Sequence, residues 1–177
     1  MKGKRVKIFK TATNMSILDV TSALNYYTRN KNEEVYKGSV VFTINEYGRS
    51  KENLRAFVSK TTIKMVLNLI IQNNFYNFYP NGFREFGGTA YKKEARTFSI
   101  RFDPQSNRFI FQIDYGIGEV MNTGAIKMVK REKSVQSYLS YEETLKMANE
   151  VLDFIRHAEL TAMMNGKPLN TIMHMIN

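Results

Sequence analysis

Cysteine is absent from the 177 residues of this sequence, which excludes disulfide bonds, thiolate catalysis and zinc sites built on cysteine. Only two histidines are present, His157 in the predicted last helix and His174 near the C-terminus. This spacing is not typical of a set of metal ligands. We therefore expect neither a metal ion nor any other cofactor.

Long apolar runs are absent as well. The longest one, around residues 65–71, is too short and too closely flanked by polar residues to cross a bilayer. The N-terminus, MKGKRVKIFK, is basic, but no apolar run follows it, so it does not form a signal peptide. These features predict a cytoplasmic protein that does not bind membranes.

The sequence also lacks the patterns of common enzymes. The glycines at 87–88 and 116–118 are not part of a phosphate-binding loop, because its Lys and its Ser or Thr are missing. Asp103, Asp114 and Glu119 are the candidates for a magnesium-binding nuclease site. However, Asp103 begins a predicted turn and Asp114 points outward from a predicted strand. We therefore expect that the protein is not an enzyme, with a magnesium-dependent nuclease as the catalytic alternative.

An excess of positive charge is what the sequence does contain. The formal net charge is +10 and the pI is about 9.7. Such an excess favours a polyanionic partner, because Lys and Arg that neutralise phosphates release bound counterions. The alternative is that the charge only keeps the protein soluble. Part of it lies in residues 4–12, which are predicted to form a basic edge strand or an arm.

The composition and the first half of the chain indicate one folded domain, over residues 1–177. Residues 16–29 fit a helical stripe, but their β-branched and Tyr residues are also compatible with a strand. The segment at 35–47, VYKGSVVFTINEY, alternates as a strand does. Ser59 can cap a helix that runs from Lys60 to about Asn73. The aromatic-rich segment 74–96 is expected to be a long loop or an irregular hairpin.

Several strands and one helix are predicted in the second half. Apolar and polar residues alternate in TFSIRFD (97–103) and RFIFQIDY (108–115), and the PQSN between them is typical of a turn. A glycine-rich connection (116–124) leads to a basic strand, AIKMVKR (125–131).

The last helix is predicted to begin with a capping box of Ser140 and Glu143 and to end at Gly166 and Pro168. The tail (169–177) either docks on a partner subunit or closes the chain's own core. Because strands followed by a Ser-capped helix occur twice, the halves 1–75 and 92–166 are predicted to be pseudo-duplicated.

Aromatic and basic residues are interleaved, which is the combination that binds single-stranded nucleic acid: rings stack on bases, at about 1–3 kcal/mol per base, and cations neutralise phosphates. The candidate stacking residues are Tyr76, Tyr79, Phe83, Phe86 and Tyr91. The candidate phosphate-binding residues are Arg84, Lys92, Lys93, Arg96, Arg101, Arg108, Lys127, Lys130 and Arg131. The alternative, which is the stronger one for any single Phe, is that the rings are buried in the core.

Arg101 and Arg108 are predicted to lie on the outward face of the sheet, on neighbouring strands, because they alternate with the apolar residues there. With Lys127 nearby, they are expected to form a positive stripe. If this division of roles holds, Tyr79→Ala weakens binding at an unchanged salt dependence, whereas Lys127→Ala lowers the salt dependence.

The order of these motifs resembles that of known single-stranded DNA-binding domains. GAIKMVKREKSVQSYLSYEETLKMANEVLDFI, at 124–155, is similar to the C-terminal part of positive-cofactor-four-like domains, which end in a basic strand and a Leu-Ser-x-Glu helix start, here Leu139, Ser140 and Glu142. YKGSVVFTINEY, at 36–47, resembles the Lys-Gly strand opening of Whirly proteins. In layout, the resemblance to Whirly proteins covers roughly residues 35–162.

This resemblance implies an α+β fold of curved antiparallel sheets backed by helices, in which a strand-rich half followed by a helix occurs twice. It implies binding of single-stranded DNA without sequence preference and homo-oligomers, dimers or tetramers, that associate through their helices. By the same match, Lys37 is expected near the nucleic-acid surface or the oligomer contact, and Lys127 and Lys130 on the sheet.

We therefore predict a sequence-nonspecific single-stranded DNA-binding protein that acts in replication or recombination. The Asn-, Lys- and Tyr-rich composition suggests a bacteriophage origin, in which case the location is the host cytoplasm. One alternative is a module that binds RNA or regulates transcription. The other is a structural or assembly protein whose aromatic loop and C-terminal tail bind protein.

Overall fold

The computed structural model of the chain describes residues 5–24, 27–30, 33–36, 38–48 and 53–165. Three predictions fall outside these ranges: the role of Lys37, the end of the last helix at Gly166 and Pro168, and the docking of the tail 169–177. The strands are β1 (Lys7–Ala12), β2 (Ser16–Ala23), β3 (Tyr27–Asn30), β4 (Glu33–Tyr36), β5 (Ser39–Glu46), β6 (Asn53–Ser59), β7 (Phe83–Thr89), β8 (Glu94–Asp103), β9 (Arg108–Val120) and β10 (Ile126–Ser140). The helices are α1 (Lys60–Ile71), α2 (Phe75–Phe78) and α3 (Tyr141–Asn165), with a 3-10 turn at Ala90–Lys92.

Two antiparallel sheets carry most of the structure. The first has four strands in the order β1-β2-β5-β6, and the second has four strands in the order β10-β9-β8-β7. A two-stranded hairpin of β3 and β4 lies between β2 and β5 in the chain. Each four-stranded sheet is followed by a helix, α1 after the first and α3 after the second, which is the predicted α+β plan.

The core forms where the inner faces of the two sheets meet. Phe42 of the first sheet stacks on Phe98 of the second, with ring centroids 4.6 Å apart, and lies 6.3 Å from the ring of Phe111. All three side chains are buried because their strands alternate, with every second residue facing inward. The rung of Phe98, Ile113 and Val135 crosses three strands of the second sheet and is fully covered.

The two long helices follow their sequence signals. The Ser59 hydroxyl accepts a hydrogen bond from the Thr62 backbone N–H at 3.1 Å, and the predicted stripe of α1 is buried at Ile63, Val66, Leu67 and Ile70. The Ser140 hydroxyl caps α3 by accepting from the Glu143 N–H at 3.1 Å. The Glu143 carboxylate accepts from Thr11 (3.1 Å) and Lys146 (3.3 Å) instead of closing the predicted capping box.

Several local predictions are wrong. Residues 16–23 form β2, because Leu18 and Val20 alternate inward against β5, and the helical interpretation of 16–29 is therefore excluded for them. In the aromatic segment 74–96, α2 stands where a loop was the first alternative, whereas β7 pairs with β8 as the hairpin alternative predicted. Residues 116–120 continue β9, since their glycines let β10 cross closely: a Cβ on Gly116 would lie 2.0 Å from the Lys130 carbonyl oxygen. The basic strand is much longer than predicted and includes residues 132–140.

Candidate nucleic-acid interface

A groove opens where the inner face of the second sheet extends beyond the first. Next to the buried Phe98 rung, the strands place Arg96, Tyr115 and Lys133 on one rung of β8, β9 and β10. These residues keep the inward orientation of the core residues, but the first sheet no longer covers them. A cationic and aromatic rung therefore faces open space.

The opposite wall of the groove is β6, the edge strand of the first sheet. Edge strands present unpaired backbone N–H and C=O groups, which can bond a ligand. The cavity between the two walls has a volume of about 690 Å³. We call it the basic groove; its lining residues are Arg5, Asn53, Leu54, Arg55, Phe57, Arg96, Ile113, Tyr115 and Lys133.

Aromatic rings hold some of the cations of the basic groove in place. The Arg5 guanidinium lies 5.2 Å from the centroid of the Phe57 ring, and that of Arg96 lies 5.8 Å from the centroid of Tyr115. Phe57 is nonetheless 46% exposed, so much of its ring is available for stacking. Burial, and then a hydrogen bond with the Glu94 carboxylate, raise the pKa of Tyr115 above its ordinary value.

The basic groove continues onto the outer face of the first sheet. A second cavity of about 380 Å³ shares Arg5, Asn53 and Arg55 with it and adds the polar side chains of Thr21, Thr43, Asn45 and Asp19, whose carboxylate pairs with Lys7 at 2.8 Å. On the other side, Phe57 and Arg96 also line a third cavity between the sheets. The arginines thus stand along one continuous path, which suits an extended polyanion better than a small compact one.

Of the predicted site residues that the structure describes, Arg96 alone lines the basic groove. Arg84, Arg101 and Arg108 project from the outer face of the second sheet, where Phe86 of β7 is 64% exposed. Arg101 donates to Gln112 at 3.4 Å. This outer face is a separate basic surface.

The predicted stripe that joins Arg101, Arg108 and Lys127 is wrong. Arg108 begins β9, whereas Lys127 pairs with Glu119 near its other end, eleven residue steps away, or roughly 36 Å along the strand. Lys130 and Arg131 lie at that far end with Lys127. The predicted cations of the second sheet are therefore divided between its two ends.

The predicted stacking residues also separate. Tyr91 and Lys92 lie in the exposed 3-10 turn with Lys93 directly after it, and Tyr76 of α2 is exposed beside Phe102. Phe83 is buried. Tyr79 packs against Phe75, Phe78 and Phe83, with ring centroids 5.1 to 5.5 Å apart, so it belongs to an aromatic cluster that Tyr79→Ala would disturb.

Sequence reasoning missed Arg55, Phe57, Tyr115 and Lys133 as site residues. A signal for the first two was present: in NLRAFVS, Asn53, Arg55 and Phe57 alternate with Leu54, Ala56 and Val58, as in a half-buried strand. Lys133 alternates in the same way with Val135 along β10. Tyr115 and Lys133 lie outside the part of the second sheet that the first sheet covers. Their position depends on how the two sheets overlap, which the alternation of residues in the sequence does not encode.

The carboxylates considered for a nuclease site do not meet. Asp103 bonds the Ser106 hydroxyl and the Gln105 N–H, which lower the pKa of its carboxyl, and Asp114 accepts from Gln112 at 2.8 Å. Asp103 pairs with Arg108, and Arg108 lies six residues before Asp114 along β9, a distance of roughly 20 Å. Nowhere in the described ranges do three or more Asp, Glu or His side chains group closely enough to hold a metal ion.

Within the same ranges no helix has both the length and the apolar character of a membrane span.

Solved structures with the same architecture identify the fold. WHY1 of Arabidopsis thaliana matches with a TM-score of 0.58 at 11% identity, over 92% of this chain and 93% of that chain. The fold is Whirly-like. The plant transcriptional regulator PBF-2 matches with a TM-score of 0.55 at 10% identity (93% and 89% coverage), and WHY3 of Arabidopsis thaliana with 0.55 at 11% identity (89% and 96%).

The Whirly-like fold confirms the resemblance inferred from the strand and helix order, although the identities are too low to carry over individual residues. No family model and no curated protein matches the sequence. These three structures are of plant proteins, so they give no support to a bacteriophage origin.

Proposed function

We propose that this protein binds single-stranded DNA in the basic groove. The observation that carries the proposal is the convergence of Arg5, Arg55, Arg96 and Lys133 on one open path that also holds the rings of Phe57 and Tyr115. Cations alone would suit any polyanion, but stacking on a ring requires bases that are not already paired in a duplex. The Whirly-like fold supports this function, because the family it resembles binds single-stranded DNA.

The proposed mechanism divides the work between charge and stacking. Arginines along the groove neutralise successive phosphates, and the exposed edge of β6 offers backbone groups to the sugar and phosphate oxygens. Phe57 and Tyr115 stack on bases of any sequence. We propose that such nonspecific binding serves replication or recombination in the cytoplasm, where single strands are transiently exposed.

A fluorescence anisotropy titration tests this function directly. The probes are a labelled oligo(dT) of about 20 nucleotides, the corresponding RNA and a duplex of the same length. We expect the single-stranded DNA to bind more tightly than the duplex, with an affinity that falls linearly on a log–log plot against salt, by about 0.7 per phosphate neutralised. Equal or tighter binding of the duplex would refute the proposal.

Regulation of transcription is the second candidate function, because the Whirly-like neighbour PBF-2 is a plant transcriptional regulator. It uses the same groove but requires preference for particular sequences. Selection of bound oligonucleotides from a random single-stranded pool separates the two functions: a recovered consensus of several bases favours regulation, and its absence favours general binding. Tighter binding of RNA in the titration above would favour an RNA-binding module instead.

We also propose that the chain forms a homo-oligomer through its helices, as the resemblance implies. Apolar side chains are exposed on both long helices, at Met65 and Ile71 of α1 and at Leu160 and Met164 of α3. Light scattering on the purified protein should give a multiple of the 20.6 kDa chain mass, and Leu160→Glu should reduce it. Val129→Glu, at an exposed apolar position on the second sheet, is the matched control. A monomeric wild-type protein would contradict the proposal.

A further inference from the structure

The third cavity, between the two sheets beside the basic groove, carries one further inference. It has a volume of about 440 Å³, which lies in the usual range for small-molecule sites, and its surface is mostly apolar. Phe57 and Arg96 line both it and the basic groove, so a strand bound in the groove passes its mouth. The cavity is open there because Phe57, Gly87 and Gly88 are exposed.

A carboxylate stands inside this cavity without a partner. Glu85 of β7 pairs with Phe98 across the strands, so it faces inward beside core residues. Among the described residues, the Glu85 carboxylate has no hydrogen bond or ion pair. Arg96 lies close by, since it pairs with Gly87, but its guanidinium contacts the Glu94 carboxylate at 3.7 Å instead. Burial raises the pKa of the Glu85 carboxyl above its ordinary value. A partly desolvated carboxylate of this kind gains from a ligand that supplies hydrogen-bond donors.

We propose that the cavity receives one unstacked base of the bound strand and prefers guanine. This rests on the proposed function of the basic groove. A carboxylate only accepts hydrogen bonds, and guanine presents two adjacent donors, N1–H and the N2 amino group, which match its two oxygens. Thymine presents one N–H between two carbonyl oxygens, which the carboxylate repels. The Phe57 ring at the mouth supplies a stacking surface for the turned base.

Guanine is favoured over the other amino-bearing bases by the same reasoning. Cytosine and adenine each offer an amino group beside a ring nitrogen that is itself an acceptor, so they provide only one of the two hydrogen bonds. Specificity built on paired donors and acceptors exceeds that of an apolar pocket, because the wrong base leaves a buried polar group without a partner. The preference is added to the nonspecific binding of the groove and acts at one nucleotide.

The test compares oligo(dT) with the same strand that carries a single central dG or a single central inosine, which keeps N1–H but lacks the amino group. With the full-length protein we expect the dG strand to bind roughly five- to tenfold more tightly than oligo(dT), with inosine in between. Equal affinities for dG and dT strands would overturn the guanine proposal and leave the groove intact. Failure of both strands to bind would overturn the function on which it rests.

Two variants locate the preference. Glu85→Gln should bring the affinities for the dG and dT strands to within about twofold of each other, because an amide cannot accept both donors. Gly87→Val should do the same by filling the cavity; a Cβ on Gly87 has no atom within 4 Å, so this variant should fold even if Glu85→Gln does not. Glu119→Gln, an exposed carboxylate at the far end of β9, is the control and should keep the preference. A preference that survives in both cavity variants would refute the assignment.

A competition experiment distinguishes binding of a base within a strand from binding of a free nucleotide. Guanosine monophosphate carries a single phosphate instead of the series along a strand that the basic groove binds, so it should compete with the dG strand only at concentrations at least a hundredfold higher than the strand itself requires. Competition at equal concentrations would show that the cavity serves free guanine nucleotides and would overturn the proposed role in strand binding.

Discussion

Phe57 lines two neighbouring cavities, the basic groove and the third cavity. It points away from the core on β6, is 46% exposed, and still lies under the Arg5 guanidinium at 5.2 Å. Because the ring carries no charge, its role in binding should be independent of salt. Phe57→Ala should weaken binding of oligo(dT) by about 1–3 kcal/mol while the slope against salt stays unchanged, as measured by anisotropy at several salt concentrations. Phe86→Ala, an exposed ring on the outer face, is the control; a similar loss there would place the strand on that face instead.

Arg96 should show the complementary behaviour. It lies on the open rung with Tyr115 and Lys133, so its guanidinium can reach a phosphate in the groove. Arg96→Gln should lower the salt slope by about 0.7, the contribution of one phosphate contact to a single strand, and weaken binding most at low salt. Arg108→Gln, on the outer face at the start of β9, should change neither quantity. A reduced slope in Arg108→Gln with an unchanged slope in Arg96→Gln would move the interface to the outer face of the sheet.

Elements were predictable from the sequence where local pattern decides them. The stripe of α1 and the alternation of β5, β8 and β9 follow from burial on one side, and Ser59 and Ser140 cap their helices as expected. Residues 16–23 were ambiguous because a helix and a strand can bury the same apolar residues, and only pairing with β5 selects the strand. β9 continues through residues that look like a glycine loop, since Gly116 and Gly118 leave space for β10, which no local rule reveals.

One carboxylate joins α3 to α1 through two ion pairs. Glu159 accepts hydrogen bonds from Lys60 at 3.0 Å and Lys64 at 2.8 Å. Burial alone would raise the pKa of Glu159, but the hydrogen bonds from Lys64 and Lys60 outweigh it and hold the pKa below the ordinary value of 4.5. A carboxyl whose pKa is lower in the folded state stabilises the protein above its unfolded pKa, and this stabilisation is lost as the pH falls through the folded value.

Glu159→Gln should therefore lower the free energy of unfolding by about 1 kcal/mol at neutral pH, and the difference from wild type should vanish in acid. Urea unfolding at a series of pH values measures both effects. Glu150→Gln, at an exposed position on the same helix, should change stability by less than about 0.5 kcal/mol throughout. A deficit in Glu159→Gln that is the same in acid and at neutral pH would show that packing, and not the ion pairs, is responsible.

At the scale of the whole molecule, the repeated order of strands and helix was readable from the sequence, but the site was not. Arg55 and Lys133 are far apart in the chain and meet only because the two sheets overlap incompletely. Arg96 was among the predicted cations, yet so were Arg101, which projects from the outer face, and Lys127, which lies farther along the sheet. A list of cations and rings therefore predicts a class of partner, whereas the position of the interface follows from tertiary packing.

The same packing predicts how the molecule unfolds. Phe42 belongs to the first sheet, but its ring lies on Phe98 and near Phe111 of the second, so neither half buries its inner face alone. Phe42→Ala should lower the free energy of unfolding by about 3–5 kcal/mol, since it removes a fully buried ring, and the chain should still unfold in a single transition. Circular dichroism and tyrosine fluorescence, followed through the same urea titration, should give coincident curves. Phe86→Ala removes an exposed ring and should shift stability by no more than about 0.5 kcal/mol. Two separate transitions, with only one of them moved by Phe42→Ala, would instead mean that the two halves are independent domains joined in one chain.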